Sequence, residues 1–183
     1  MAGALELYLV RHGIAAPAAD DTEADRRSDR QSSAASRDEA RPLTPEGIAA
    51  LEKEAAGLDA LEVRFDVIIT SPLVRARQTA EVLAKRMKHQ APVLVSEALA
   101  PSGSPAEVIE AVAKQAAAGK GAVALVGHEP GIGLLACRLL HAREPLLFKK
   151  GGICRMDFDV LPPRGVGALR WFAPPKMLRL LGR

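Results

Sequence analysis

Aromatic residues are scarce in this chain: one tryptophan, one tyrosine and four phenylalanines among 183 residues. Leucine, valine, isoleucine and alanine must therefore carry most of the packing. Only two cysteines occur, Cys137 and Cys154, which argues against a disulfide-stapled scaffold. One falls in an apolar helical stretch and the other in a strand-like run, so both read as buried thiols. No apolar run is long enough to span a bilayer, and the opening residues Met1 to Glu6 lack a basic region followed by an apolar signal core. The expectation is a cytoplasmic protein that makes no membrane contact.

Charge of one sign is also in short supply, with a formal net charge of only +3. That lean suits an anionic substrate. It lacks the concentrated basic stripe of a nucleic-acid binder, so no nucleic-acid partner is expected. The four histidines lack zinc-helix spacing, and the acids do not cluster as a two-metal site requires. Neither a metal nor another cofactor is expected. No internal repeat is present. What remains is 48% apolar and 26% charged content, typical of a globular chain and long enough for one domain spanning residues 1–183.

The strongest pattern is Leu7 to Val10, an unbroken apolar run that reads as a strand buried on both faces. It stops at Arg11, His12 and Gly13. A polar stretch follows from Ala15 to Arg41, with seven acids and five arginines. It has too few large apolar residues to pack a core and reads as an inserted loop, mobile or partly helical.

Beyond it, Thr44-Pro45 opens a helix by cap and proline, with Ile48, Leu51, Ala55 and Leu58 on one face. A second strand covers Phe65 to Thr70. A second helix starts near Leu73 and presents Ala76, Ala80, Leu83 and Met87. Val93 to Ser96 reads as a third strand, and Ser104 with Glu107 has capping-box spacing for a third helix. Ala122 to Val126 is a fourth strand, and Ile132 to His141 a fourth helix. Ile153 to Val160 and Ala168 to Phe172 read as two strands joined by a turn at Pro162 to Gly165, before a short terminal helix. Strands alternating with helices imply right-handed crossovers and a parallel sheet covered on both faces. The expected fold class is a three-layer α/β/α sandwich, its last two strands forming an antiparallel edge.

On that frame His12 follows strand one, Ser71 and Arg75 strand two, Glu97 strand three and His128 strand four. In open α/β sheets ligands bind at this carboxyl-end edge. His89 and His141 fit ordinary surface or core positions on helices, whereas His12 and His128 stand at strand-to-loop transitions beside glycine. Arg75 falls in the first turn of a helix, where free N–H groups and the dipole favour an anion. Two arginines and two histidines suit a phosphoryl dianion: guanidinium forks bind its oxygens, and an imidazole can attack phosphorus to form a covalent intermediate.

Leu9 to Gly13, Ser71 to Ala80 and Val126 to His128 together resemble the three motifs of the histidine phosphatase superfamily, which has the phosphoglycerate mutase-like fold. The resemblance implies that His12 is the phosphorylated nucleophile. Arg11, Arg75 and His128 would form the phosphate pocket, with Ser71 behind them. Arg41 to Gly47 and the closing stretch from Trp171 to Leu178 are similar to SixA-type phosphohistidine phosphatases, which implies a phosphorylated protein as substrate.

The short connection from Glu97 to Gly103 carries no capping insertion, which predicts an open pocket and disfavours a mutase. Glu97 reads either as an acid for the leaving group or as a partly exposed loop carboxylate. Glu129 is expected to matter through its backbone N–H. A small-molecule phosphomonoesterase and a non-catalytic phosphate-binding module are the alternatives.

Overall fold

The computed structural model describes residues 5–17, 38–161 and 165–183. Most of the polar stretch expected at 15–41, and the Pro162 to Arg164 part of the expected turn, lie outside the described residues. The chain runs β1 (Leu5–Arg11), α1 (Pro45–Ala60), β2 (Val67–Thr70), α2 (Val74–Arg86), β3 (Val93–Val95) and a 3-10 turn (Glu97–Leu99). It continues through α3 (Pro105–Ala117), β4 (Ala122–Gly127), α4 (Gly131–Leu140), β5 (Ile153–Phe158), β6 (Ala168–Ala173) and α5 (Pro175–Leu181).

The strand order is β3-β2-β4-β1-β5-β6. The first four strands in sequence are mutually parallel, and β5 and β6 extend the sheet in antiparallel fashion. The period of two along β1 builds both cores. Leu5, Leu7 and Leu9 enter one layer with Val108 and Val112 of α3 and Ile132, Leu135 and Leu139 of α4. Tyr8 and Val10 enter the other with Ala55 and Leu58 of α1, Ala76, Ala80 and Leu83 of α2, and Leu178 of α5. Each fully buried leucine contributes roughly 1.5–3 kcal/mol, so β1 anchors both layers at once. Its tip is correspondingly rigid.

Local signals act as expected at α1, where Thr44 Oγ1 accepts the Gly47 N–H at 3.0 Å and Pro45 occupies the first turn. At α3 the expected capping box is not formed: Ser104 Oγ accepts from Ala106 N–H instead of from Glu107. β2 begins at Val67 rather than Phe65. The Phe65 ring packs edge-on against Tyr8 at 5.0 Å, and Asp66 accepts the N–H groups of Gly121 and Ala122. Cys154 is buried in β5, but Cys137 is only half-buried on α4; both are free thiols. The described ends of the polar stretch meet, since Ala15 bridges Leu43 and Ala16 N–H donates to Pro42 O at 2.8 Å. Among the described residues no helix is long and apolar enough to cross a membrane.

Candidate active site

The parallel register sets Arg11 opposite Gly127, and Thr70 opposite Val126. The ladder then runs one step past the strands: His12 N–H donates to Gly127 O and Ser71 N–H to Val126 O, each at 3.0 Å. Three strand ends therefore deliver Arg11-His12, Ser71 and His128 to one place. Arg75 reaches the same place from the second residue of α2. His12, Arg75 and His128 are only 6%, 6% and 5% exposed. These three side chains are buried among the described residues, while the groove beside Asp38 and Glu97 lies at the Glu97–Gly103 connection. Asp38 lies against Arg75, and Phe148 against Arg11.

The His12 and His128 rings lie 5.0 Å apart. His12 Nδ1 stands 2.7 Å from Gly13 O. A carbonyl only accepts, so Nδ1 carries the proton and Nε2 keeps its lone pair. Burial, with the charges of Arg75 and Arg11 adding to it, holds His12 down at about 3. The same causes hold His128 at about 4, against a smaller opposing pull from Asp38. Both imidazoles are neutral at physiological pH. His128 Nε2 lies 2.8 Å from Ser71 Oγ, while its Nδ1 is buried without a partner among the described residues.

The two arginines are held differently. Arg11 Nη1 donates to Phe148 O at 2.5 Å, and its Nε is buried without a partner among the described residues. Arg75 grips residue 38 with both terminal nitrogens, Nη1 to Asp38 O at 2.6 Å and Nη2 to Asp38 Oδ2 at 2.9 Å. Arg41 also binds Asp38, at 2.7 Å. The two guanidinium partners outweigh desolvation and hold the Asp38 carboxyl below its usual range.

Glu97 does not join this group. It is an exposed residue of the 3-10 turn and lines a groove of about 390 Å³ with Asp38, Glu39, Pro72, Leu73, Ala100, Pro101 and Ser102. Glu129 contributes through its side chain: its Oε1 accepts Phe148 N–H at 2.7 Å and so fixes the carbonyl that holds Arg11. Thr79 accepts Gly13 N–H at 3.0 Å and donates to Arg75 O at 2.7 Å, tying the His12–Gly13 turn to α2. Its place four residues after Arg75 was the available signal. Asp38 and Phe148 had none.

Gly151 closes the back of the site. Its N–H donates to both Arg11 O and His12 O at 3.1 Å. Its φ of +83° favours glycine, and a Cβ there would stand 2.5 Å from Glu54 Oε2. Glu54 is 3% exposed on α1 and accepts from Arg179 of α5 at 2.6 Å. Burial outweighs that partner and raises its carboxyl to about 7. Among the described residues no three His, Cys, Asp or Glu side chains are grouped to hold a metal ion.

A family model described as the histidine phosphatase superfamily, branch 1, matches residues 7–100. An uncharacterized protein of Picosynechococcus is 38% identical over 151 residues, covering 81% of this chain and 82% of that protein. The phosphohistidine phosphatase SixA of Escherichia coli K12 is 24% identical over 176 residues, 96% of this chain and 98% of its own. Among solved structures, the protein histidine phosphatase SixA complexed with tungstate superposes with a TM-score of 0.75 at 25% identity, covering 94% of this chain and 98% of that one. A phosphoglycerate mutase from Bacillus anthracis shares the fold at a TM-score of 0.66 and 15% identity, covering 99% and 97%. The α/β/α sandwich is thus of the phosphoglycerate mutase-like kind.

Proposed function

The chain belongs to the histidine phosphatase superfamily, and we propose that it removes the phosphoryl group from phosphohistidine on a signalling or phosphotransfer protein, through a covalent intermediate on His12. One observation carries this reading. Two buried nitrogens, Arg11 Nε and His128 Nδ1, lack partners among the described residues beside a neutral imidazole. Leaving a buried polar group unpaired costs about 1–3 kcal/mol, and phosphoryl oxygens would satisfy both donors at once.

His12 Nε2 attacks phosphorus in line, the bond to the leaving nitrogen breaks, and the phosphoryl group passes to Nε2. The Gly13 carbonyl keeps the Nδ1 proton and steadies positive charge as it grows on the ring. Arg11, Arg75 and His128 hold the equatorial oxygens, where charge accumulates. Ser71 sets the His128 tautomer. One lone pair of its Oγ accepts Leu73 N–H at 3.3 Å, and its hydroxyl donates to Nε2, so the His128 proton resides on Nδ1 and faces the oxygens. Water then attacks the phosphorylated His12, giving inorganic phosphate and restoring the imidazole.

The leaving group explains the position of Glu97. A phosphohistidine can carry a proton on its other nitrogen near neutral pH, since imidazole titrates at about 6.5. It departs as neutral imidazole without help from an enzyme acid. An ester would need that acid, and Glu97 stands outside the group of four.

Incubation with a labelled phosphoryl donor is expected to mark the protein in an acid-labile, base-stable form that His12→Ala abolishes. Turnover of a histidine-phosphorylated protein should exceed that of simple phosphate esters. Label surviving in His12→Ala would sink the nucleophile assignment. Faster turnover of esters would replace the protein substrate with a small phosphomonoester. Binding of vanadate without turnover of any donor would indicate a phosphate-binding module.

A further inference from the structure

The segment from Ala142 to Lys150 forms no helix or strand, yet its inner side is fixed to the site. Phe148 bonds Arg11 through its carbonyl and Glu129 through its N–H. Gly151, just beyond, bonds the carbonyls of Arg11 and His12. Leu146 O lies so close to α4 that a Cβ on Gly133 would come within 2.3 Å of it.

The outer side has a different character. Leu147 is 83% exposed, and Arg143, Lys149 and Lys150 are exposed around it. The adjoining face of α4 adds Leu134, 48% exposed, and the exposed Arg138. Glu144 is the one acid among residues 142–150. A lone exposed leucine needs no explanation; exposed leucines that share this segment and α4 with four exposed cations, on a segment pinned to Arg11, do. Across the site the groove beside Arg75 is lined by Asp38, Glu39 and Glu97. The two rims therefore carry opposite charge.

We infer that the Ala142–Lys150 segment, with Leu134 and Arg138, is the docking surface for the protein that delivers the phosphoryl group. That partner presents an acidic face with an apolar residue at its centre. The inference rests on the phosphohistidine-protein reading above and adds the partner's chemistry and orientation to it. Complementary charge across such a rim acts mainly on encounter and register. Its effect should appear in KM and weaken with salt.

The test uses the full chain and three donors: phosphoramidate, and two phosphohistidine peptides of equal length, one flanked by glutamates and a leucine, the other by lysines and a leucine. Wild type is expected to favour the acidic peptide. Lys149→Glu combined with Lys150→Glu should raise KM for that peptide by about tenfold, lower it for the basic peptide, and leave phosphoramidate turnover unchanged. Leu147→Ser should raise KM for both peptides by about threefold. An unchanged KM for the acidic peptide in the charge-reversed variant overturns the docking surface. So does a loss of phosphoramidate turnover in that variant, which would place the lysines in the pocket itself. Wild type that turns over phosphoramidate but neither peptide overturns the underlying phosphohistidine reading, and this inference falls with it.

Discussion

Two buried polar groups flank the tip of β1, and each contains side-chain atoms without a hydrogen-bond partner among the described residues. On one side these are the nitrogens Arg11 Nε and His128 Nδ1, around His12. On the other, Glu54 Oε2 is an unpaired acceptor pressed against Gly151, with its companion oxygen on Arg179. The first pair consists of nitrogens on residues whose charges or rings act on His12, the proposed nucleophile. The second atom meets the α-carbon of a glycine that has no space for a side chain. An unpaired buried group thus marks a ligand site only where partners of the same kind converge on a reacting atom. Otherwise it marks a structural clasp, here one that holds the Gly151 turn behind the nucleophile.

The two groups also respond to pH in opposite directions. His12 and His128 have folded values of about 3 and 4 against an ordinary 6.5, so the unfolded chain binds more protons between those limits. Stability from this pair is present above 6.5 and is lost as pH falls toward 4. Glu54 has a folded value of about 7 against an ordinary 4.5. Its contribution is full below 4.5 and is lost as pH rises through 7. Between about 4.5 and 6.5 the two slopes oppose each other, and variants that remove one expose the other.

The largest effect that separates the two sides should come from Ser71→Ala. The serine is fully buried and touches the nucleophile only through His128. Its loss frees the His128 tautomer and should lower kcat/KM on the order of tenfold to a hundredfold, the scale felt when a group orienting a functional imidazole is removed. Vanadate affinity should weaken in parallel, and denaturant unfolding should lose about 1–3 kcal/mol because His128 Nε2 and the Leu73 N–H lose a buried partner. A stability loss with unchanged vanadate binding would make Ser71 part of a clasp like Glu54.

Arg179→Ala should lower stability while hardly touching vanadate affinity. Removing one partner of a buried pair can cost about 3–5 kcal/mol. Arg179 is partly exposed, however, and Glu54 can protonate, so about 2 kcal/mol is expected at pH 8.5 and about 1 kcal/mol at pH 5. Urea denaturation at the two pH values measures the difference. A cost independent of pH would mean that Glu54 is neutral throughout.

The pocket was far more legible in the sequence than the clasp. Apolar periodicity locates β1 and the helices, and a parallel sheet then brings Arg11, Ser71, Arg75 and His128 to one edge without knowledge of any contact. Glu54 offered a fainter signal. It sits three residues after Leu51 and four before Leu58, within the apolar face of α1, where a carboxylate is out of place. Phe148 and Glu129 could not be read, because a side chain bonding an irregular segment leaves no period. Glu97 was expected at the sheet edge beside the others. It follows β3, the outermost strand, and the 3-10 turn that begins at it leaves its carboxylate on the neighbouring groove.

Asp38 is the residue on which the two sides can be compared in a single substitution, because its carboxylate occupies Arg75 as a clasp would while standing where an anion is to bind. One of seven acids in a featureless stretch, it could not be singled out from sequence. In Asp38→Asn the backbone carbonyl still accepts Arg75 Nη1, so the arginine stays tethered. The negative charge that pairs with both Arg75 and Arg41 disappears. Inhibition by inorganic phosphate should then tighten by about threefold to fivefold, a modest change in keeping with a carboxylate that is partly exposed. His128 should titrate lower still, since Asp38 is the group that pulls it upward. Weaker inhibition by phosphate in Asp38→Asn would reverse the assignment: the carboxylate would be orienting the Arg75 fork rather than competing for it, and the arginine would belong to a clasp as much as to a pocket.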